Sequence, residues 1–270
     1  MIKPLPRVKK IAEFQEEYFL REQAVVVEGA ARSSASSRWT IGHLAEVLAS
    51  QRPTVRLPSG KLAHMNMPDF FRYLQRSDEV TSSHGPLYLA DFYLKPSFGD
   101  AERARLAREA EYPLIEAGEW PVWKGRHTGW NTLYAGAAGT FSRLHQDSFS
   151  MHSWLAEIAG TKLWRLCPPD AVTEEVGFKT KAFDDANLPC DFFEAVLAPG
   201  DVMYIPPNWW HAVQNQTVTL ALTGNFCTLE QAHTSFAEVQ AMPDSSERDV
   251  WMKTWECALG EHRAEQGGRS

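Results

Sequence analysis

The sequence has few cysteines, and none of them has a spacing typical of metal ligands. The 270 residues include four cysteines, and no two form a CxxC pair. Structural zinc sites and dense disulfide frameworks both need closely spaced cysteines, so we exclude both and expect reduced thiols in a cytoplasmic protein. The four positions are Cys167, Cys190, Cys227 and Cys257.

Long apolar runs and an excess of positive charge are also missing. No stretch approaches the roughly 20 apolar residues that a membrane-spanning helix needs, and no apolar leader follows the early basic residues. We therefore expect no membrane partner. The formal net charge is −7, which argues against nucleic acid as a partner, because proteins that bind it gain affinity by neutralising phosphates.

The second half of the chain consists of short strand-like segments between Gly, Pro and Asn turns. This texture is typical of a barrel or jelly roll rather than a parallel sheet. The predicted strands are 132–137, 144–158, 162–167, 194–198, 202–205, 211–215 and 218–226. Helical patterns flank them and are predicted at 11–23, 41–49, 67–75, 228–241 and 246–260.

No composition shift marks a linker between independent units, so we interpret residues 1–270 as a single domain. The fold predicted is mainly β with flanking helices. N-terminal α+β bracing elements occupy 1–130, a barrel core 131–227, C-terminal helices 228–262 and a tail 263–270.

Three side chains form a candidate metal site. His145 and Asp147 stand two residues apart in a segment rich in strand formers, and residues at that spacing on a strand project from one face. His211 follows a second strand and the turn PPNWW. Two imidazoles and one carboxylate make up the facial triad of non-haem Fe(II) oxygenases. The plain alternatives are a hydrogen-bonded pair on a half-buried strand and a histidine packed against tryptophans.

A facial triad leaves three coordination positions open, which suit a bidentate 2-oxo acid and O2. The distal carboxylate of such an acid needs a cation, and Lys162 lies on a largely buried strand where an unpaired lysine is costly. The alternative is that Lys162 extends its ammonium to solvent. Thr223 is a second candidate for the same carboxylate, or simply a β-branched strand residue.

The motifs HQD at 145–147, WLAEIAGTKLWRLCPP from Trp154, PGDVMYIPPNWWHAVQN and LALTGNF at 220–226 resemble the JmjC (cupin-like) Fe(II)- and 2-oxoglutarate-dependent oxygenases, in particular their small hydroxylase branch. The resemblance extends from the early VVVEG strand to Phe226. It implies a double-stranded β-helix in which His145, Asp147 and His211 hold Fe(II).

The resemblance also implies a set of contacts to 2-oxoglutarate. Lys162, Thr223 and Tyr88 would hold its C5 carboxylate, Asn225 would lie near its C1 end, and Ser142 stands where the family often has a threonine lining the pocket. One position departs from the pattern, because Leu155 stands where many relatives have an asparagine. That departure puts the contacts at C1 in doubt and leaves the metal ligands untouched.

These observations predict an oxygenase that hydroxylates a C–H bond of a peptide or protein side chain, with Fe(II), 2-oxoglutarate and O2. The same chemistry on a free amino acid or small metabolite is the first alternative. A different class, a cupin isomerase or binding module without redox chemistry, is the second. Apolar residues of the C-terminal helices, Phe236, Val239, Trp251 and Trp255, fit either a homodimer interface or packing against their own barrel.

Overall fold

Two β-sheets dominate the part of the chain that the structure describes. The computed structural model describes residues 1–76, 85–94, 105–106, 109–110, 131–179, 188–246, 248–249, 251–253 and 255–256. Its strands are β1 Ile2–Pro4, β2 Arg7–Val8, β3 Val25–Val27, β4 Thr54–Arg56, β5 Leu62–His64, β6 Tyr88–Tyr93, β7 Thr132–Gly136, β8 Phe141–His145, β9 His152–Ala159, β10 Lys162–Cys167, β11 Phe192–Leu197, β12 Val202–Ile205, β13 Trp210–Asn215 and β14 Thr219–Phe226.

The strand order is that of a double-stranded β-helix. The smaller sheet runs β1-β11-β10-β13-β8, and the larger runs β2-β3-β12-β9-β14-β7-β6-β4-β5. Strands β7 to β14 supply four neighbouring strands to each sheet, and all pairings among them are antiparallel. The predicted fold class is therefore confirmed.

Short helices surround the sheets. They are Ile11–Glu13, continued as a π-helix by Phe14–Phe19, then Ile41–Val47, Met67–Gln75, Glu174–Lys179 and Leu229–Ala241, with 3-10 turns at Ala35–Arg38, Ser148–Ser150 and Pro169–Ala171. Thr228 caps the last helix in a capping box with Gln231, as the TLEQ pattern predicts. The predicted helix at 246–260 and the tail at 263–270 lie partly or wholly outside the described residues. None of the helices in the described ranges is long and apolar enough to cross a membrane.

Alternating side chains of β9 show where the two cores lie. Leu155 points between the sheets and packs with Trp164 and Met203. Trp154 and Ala156 point the other way and pack with the N-terminal elements. The N-terminal residues therefore cover the outer face of the larger sheet, and the space between the sheets is left for the site.

One predicted strand was wrong. The segment 144–158 is two strands, β8 and β9, joined by the turn Ser148–Ser150. Phe149 and Ser150 have φ values of 65° and 45°, in the left-handed region that breaks a strand ladder. Asp147 therefore lies beyond the end of β8, although its own backbone is still extended.

Candidate metal centre

The two predicted histidine ligands are a cross-strand pair. His145 ends β8, His211 is the second residue of β13, and the antiparallel register places them directly opposite each other. Their ring centroids are 4.2 Å apart. Directly opposed residues share one face of a sheet, so the register of two strands distant in sequence brings the imidazoles together.

Asp147 completes the cluster from the turn after β8. Its Oδ1 is 4.0 Å from Nε2 of His145 and 3.7 Å from Nε2 of His211. One ligand atom from each of the three residues lies within 4.8 Å of the others. Neighbouring ligands of a metal with bonds of about 2 Å lie roughly 3 Å apart, so small side-chain movements would close these three atoms around an ion.

Backbone carbonyl groups fix the tautomer of both imidazoles. Nδ1 of His145 lies 2.7 Å from the carbonyl oxygen of Arg143, and Nδ1 of His211 lies 3.1 Å from that of Trp209. A carbonyl only accepts hydrogen bonds, so each Nδ1 carries a proton, and Nε2, on the side of Asp147, is the nitrogen left to bind a metal. Such outer hydrogen bonds are typical of metal-binding histidines.

The charge states also suit a cation. Burial raises the pKa of Asp147, but the imidazoles of His211 and His145 and hydrogen bonds from Ser153 and Asn225 outweigh it, so the pKa lies below its ordinary value. Burial and the neighbouring His145 lower the pKa of His211 to about 4. A carboxylate and a neutral imidazole are the forms that bind metals.

Ser153 and Asn225 hold the carboxylate of Asp147 in place. The Ser153 hydroxyl donates a hydrogen bond to Oδ2 of Asp147. The Asn225 amide donates to the Ser153 hydroxyl at 2.7 Å. Asn225 thus supports the candidate ligand Asp147 both directly and through Ser153. Ser153 was absent from the predicted site, although it lies opposite Asn225 in the β9–β14 register.

The C-terminal helix braces the turn that carries Asp147. The Ser235 hydroxyl donates to the carbonyl of Phe149, and the Ser150 hydroxyl bonds to Glu238. The Phe149 ring also meets Trp251 edge to face, with centroids 4.9 Å apart. Left-handed backbone at non-glycine residues persists only where surrounding contacts impose it, so this helix is part of the metal centre's support.

A cavity of about 680 Å³ opens beside the cluster. Its lining includes His145, Asp147 and His211, together with four of the five predicted cosubstrate residues, namely Tyr88, Ser142, Thr223 and Asn225. The volume of this cavity falls within the range of ordinary small-molecule pockets.

The hydroxyl groups that line the cavity have partners within the protein. Tyr88 and Ser142 are hydrogen-bonded to each other, and burial raises the pKa of the Tyr88 hydroxyl. The Thr223 hydroxyl donates to the carbonyl of Trp154.

Lys162 is fully buried at the deep end of the barrel interior. It pairs with Asn215, four residues from His211 along β13. Its Nζ donates to Oδ1 of Asn215 at 2.6 Å and to Oγ1 of Thr219 at 3.1 Å, and lies 5.8 Å from the centre of the Tyr88 ring. The alternative of a solvent-exposed ammonium is therefore wrong. Its contact with a cosubstrate stays a prediction.

Leu155 makes the cavity wall apolar where the family pattern has an asparagine. It is buried, lines the cavity and belongs to the same apolar cluster as Trp164 and Val213. The amide of Asn225, the residue expected near C1 of the cosubstrate, donates to the Ser153 hydroxyl.

Residues 11–231 match the cupin-like domain family, so the chain belongs to it, and the resemblance drawn from the motifs is confirmed. Among similar proteins, lysine-specific demethylase JMJ21 of Arabidopsis thaliana is 26% identical over 81% of this chain. Bifunctional arginine demethylase and lysyl-hydroxylase psr-1 of Caenorhabditis briggsae is 25% identical over 97%. The 2-oxoglutarate and iron-dependent oxygenase JMJD4 of Mus musculus is 26% identical over 60%.

These matches cover different shares of the relatives. The aligned region is 24% of JMJ21, 70% of psr-1 and 42% of JMJD4. The similarity therefore concerns the domain that carries the metal centre.

Proposed function

We propose that this protein is an Fe(II)- and 2-oxoglutarate-dependent oxygenase that hydroxylates a C–H bond of a peptide or protein side chain. The observation that carries the proposal is the convergence of His145, Asp147 and His211, each with a ligand atom directed into one cavity. The names of psr-1 and JMJD4, which describe a lysyl-hydroxylase and a 2-oxoglutarate and iron-dependent oxygenase, support it.

The donor set suits Fe(II). Two neutral imidazoles and one carboxylate leave a divalent cation with a single positive charge, and the facial arrangement leaves positions for other ligands. Bound iron would supply the redox chemistry that couples oxidative decarboxylation of 2-oxoglutarate, with O2, to hydroxylation of the substrate. The protein's own task is to hold the ligands, orient both substrates and exclude water.

The residues of the cavity divide this task. Ser153 and Asn225 fix the orientation of the Asp147 carboxylate. Lys162, with Tyr88 and Thr223, would attract the C5 carboxylate of 2-oxoglutarate into the barrel, and Ser142 would bond to it or to Tyr88. Leu155, Trp164 and Val213 keep the middle of the cavity apolar. Exclusion of water there strengthens the electrostatic contacts at either end.

A protein side chain is the proposed substrate class because psr-1 is named for lysyl hydroxylation and arginine demethylation. The same centre would also serve for a free amino acid or small metabolite. Mass spectrometry of lysates, comparing the active protein with Asp147→Ala for a gain of one oxygen, separates peptides from small molecules. The three described cysteines, Cys167, Cys190 and Cys227, are free thiols, which supports our further proposal of a reducing, cytoplasmic location.

Anaerobic titration tests the proposed chemistry. Addition of Fe(II) and 2-oxoglutarate should produce a visible metal-to-ligand charge-transfer band, and admission of O2 should then yield succinate. Both signals should vanish in Asp147→Ala and persist in Asp244→Ala, whose side chain is 98% exposed. A cupin isomerase or binding module would give neither signal with the unaltered protein.

A further inference from the structure

Glu157 places a carboxylate inside the barrel, on the face that lines the site. It lies two residues after Leu155 on β9, so both side chains project between the sheets. Its partner across the ladder is Ala221 of β14, which belongs to the interior cluster. Ala221 in turn is two residues from Thr219, whose hydroxyl contacts the ammonium of Lys162. Glu157 and Lys162 therefore share the deep end of one interior.

Within the described part of the chain, nothing donates a hydrogen bond to the carboxylate of Glu157. The residue is 1% exposed, and neither side-chain oxygen has a hydrogen-bond partner among the described residues. Burying an ionised carboxylate without hydrogen bonds is costly, and the group takes up a proton instead. Burial accordingly raises the pKa of Glu157 to about 8, with the attraction of Lys162 acting in the opposite direction.

Lys162 is the cation that faces Glu157. Burial lowers the pKa of its ammonium and Glu157 raises it. On β14, beside β9, Thr219 and Ala221 carry no charge. Tyr88, from β6 of the same sheet, is a neutral phenol whose pKa burial raises. Asp201, whose backbone carbonyl bonds to the Glu157 amide, directs its carboxylate to Arg7 and to the amide of Gly29. The positive charge at this end of the barrel therefore depends on Lys162 and Glu157 together.

We propose that Glu157 is a specificity-determining residue that competes with the distal carboxylate of the cosubstrate for the charge of Lys162, so that a dicarboxylate binds when Glu157 is protonated. This inference rests on the proposed function, since it presumes that 2-oxoglutarate enters the cavity. Ionised Glu157 neutralises Lys162 and repels the incoming carboxylate. Protonated Glu157 leaves Lys162 free to attract it, and binding well above the titration midpoint of Glu157 takes up one proton.

Calorimetric titration of 2-oxoglutarate into the Mn(II)-loaded full chain tests the inference without turnover. Between pH 6.5 and pH 8.5 the affinity of the unaltered protein should fall about fourfold, as expected for a group that titrates near pH 8 and must be protonated. Glu157→Gln mimics the protonated acid, so its affinity should match that of the unaltered protein at pH 6.5 and stay nearly constant. Glu175→Gln, an exposed change, should behave like the unaltered protein.

A second measurement, the number of protons taken up on binding, uses only the unaltered protein and so does not depend on whether Glu157→Gln folds. In two buffers of different ionisation enthalpy at pH 8.5, the unaltered protein should take up about three quarters of a proton for each 2-oxoglutarate bound, because that fraction of a group titrating near pH 8 is ionised there. Zero uptake, an equal pH dependence in Glu157→Gln, or weaker binding by that variant at both pH values would overturn the role of Glu157 alone. No binding of 2-oxoglutarate by the unaltered protein at either pH would overturn the proposed function itself.

Discussion

The hydroxyl of Ser153 donates a hydrogen bond to Oδ2 of Asp147, and so links a strand of the larger sheet to a ligand that follows a strand of the smaller one. Asn225 donates to the same hydroxyl from the adjacent strand. The carboxylate is thus oriented by two residues that are not themselves candidate ligands.

Ser153→Ala should weaken metal binding by about 10- to 100-fold, the usual cost of losing a hydrogen bond that orients a metal ligand. The remaining oxygen of Asp147 would still be available, so binding should be reduced rather than lost. Titration with Fe(II) under anaerobic conditions measures the effect. Ser59→Ala, in an exposed turn, is the matched control, and equal affinities for the two variants would contradict the role given to Ser153.

Lys162→Met should raise the 2-oxoglutarate concentration needed for half-saturation while leaving the Fe(II) requirement nearly unchanged. A hydrogen bond to a charged group contributes about 1.5–3 kcal/mol, which corresponds to about a 10- to 150-fold loss of affinity. Methionine keeps most of the side-chain volume, so the barrel should stay folded. The charge-transfer band, titrated separately with each ligand, gives both requirements.

Lys179→Met is the control for Lys162→Met, because Lys179 lies on an exposed helix and pairs with Glu175. If the requirements for iron and 2-oxoglutarate rise by the same factor in Lys162→Met, Lys162 serves the structure of the barrel and not the cosubstrate.

The clustering of the three candidate ligands could be anticipated from the sequence, because each lies at or near the end of a strand with a clear pattern. His211 follows a strand and a Pro-Pro turn, and His145 ends another. The position of Asp147 was not predictable in the same way. Its turn depends on left-handed backbone at Phe149 and Ser150, which have no glycine signal, and on contacts with a helix almost 90 residues further on.

The position of Glu157 inside the barrel, by contrast, can be predicted from the sequence. Strand alternation places it on the same face as Leu155, so a carboxylate inside the barrel followed from the pattern of β9 alone. The pairing with Lys162 did not follow, because it depends on how β10 and β14 meet at Thr219.

Val239→Ala should destabilise the chain by about 1–3 kcal/mol, the usual cost of deleting buried methyl groups. Val239 and Trp255 are buried within the chain's own C-terminal cluster, and Phe236 and Trp251 pack against it. These apolar side chains are therefore covered by the chain itself. The homodimer stays a prediction, and the packing of these residues does not support it. Urea unfolding measures the stability, and light scattering measures the mass. Thr234→Ala, exposed on the same helix, should change neither; a loss of dimer in Val239→Ala at unchanged stability would favour an interface.

The free energy of unfolding should fall between pH 6.5 and pH 8 because of Glu157. Its pKa in the folded chain is raised to about 8 by burial, against an ordinary value of 4.5, despite the opposing attraction of Lys162. The folded state therefore binds more protons than the unfolded state across this interval, and stability declines as pH rises. His152 and His211, whose pKa values burial lowers, act in the opposite direction, because each is still half protonated at pH 6.5 in the unfolded chain, and they offset part of the loss up to about pH 7.5. Urea unfolding of the unaltered protein should show a net loss of about 1 kcal/mol over the interval, and Glu157→Gln should abolish it. Glu175→Gln should keep the full slope, and the same slope in all three proteins would mean that Glu157 stays ionised in the barrel.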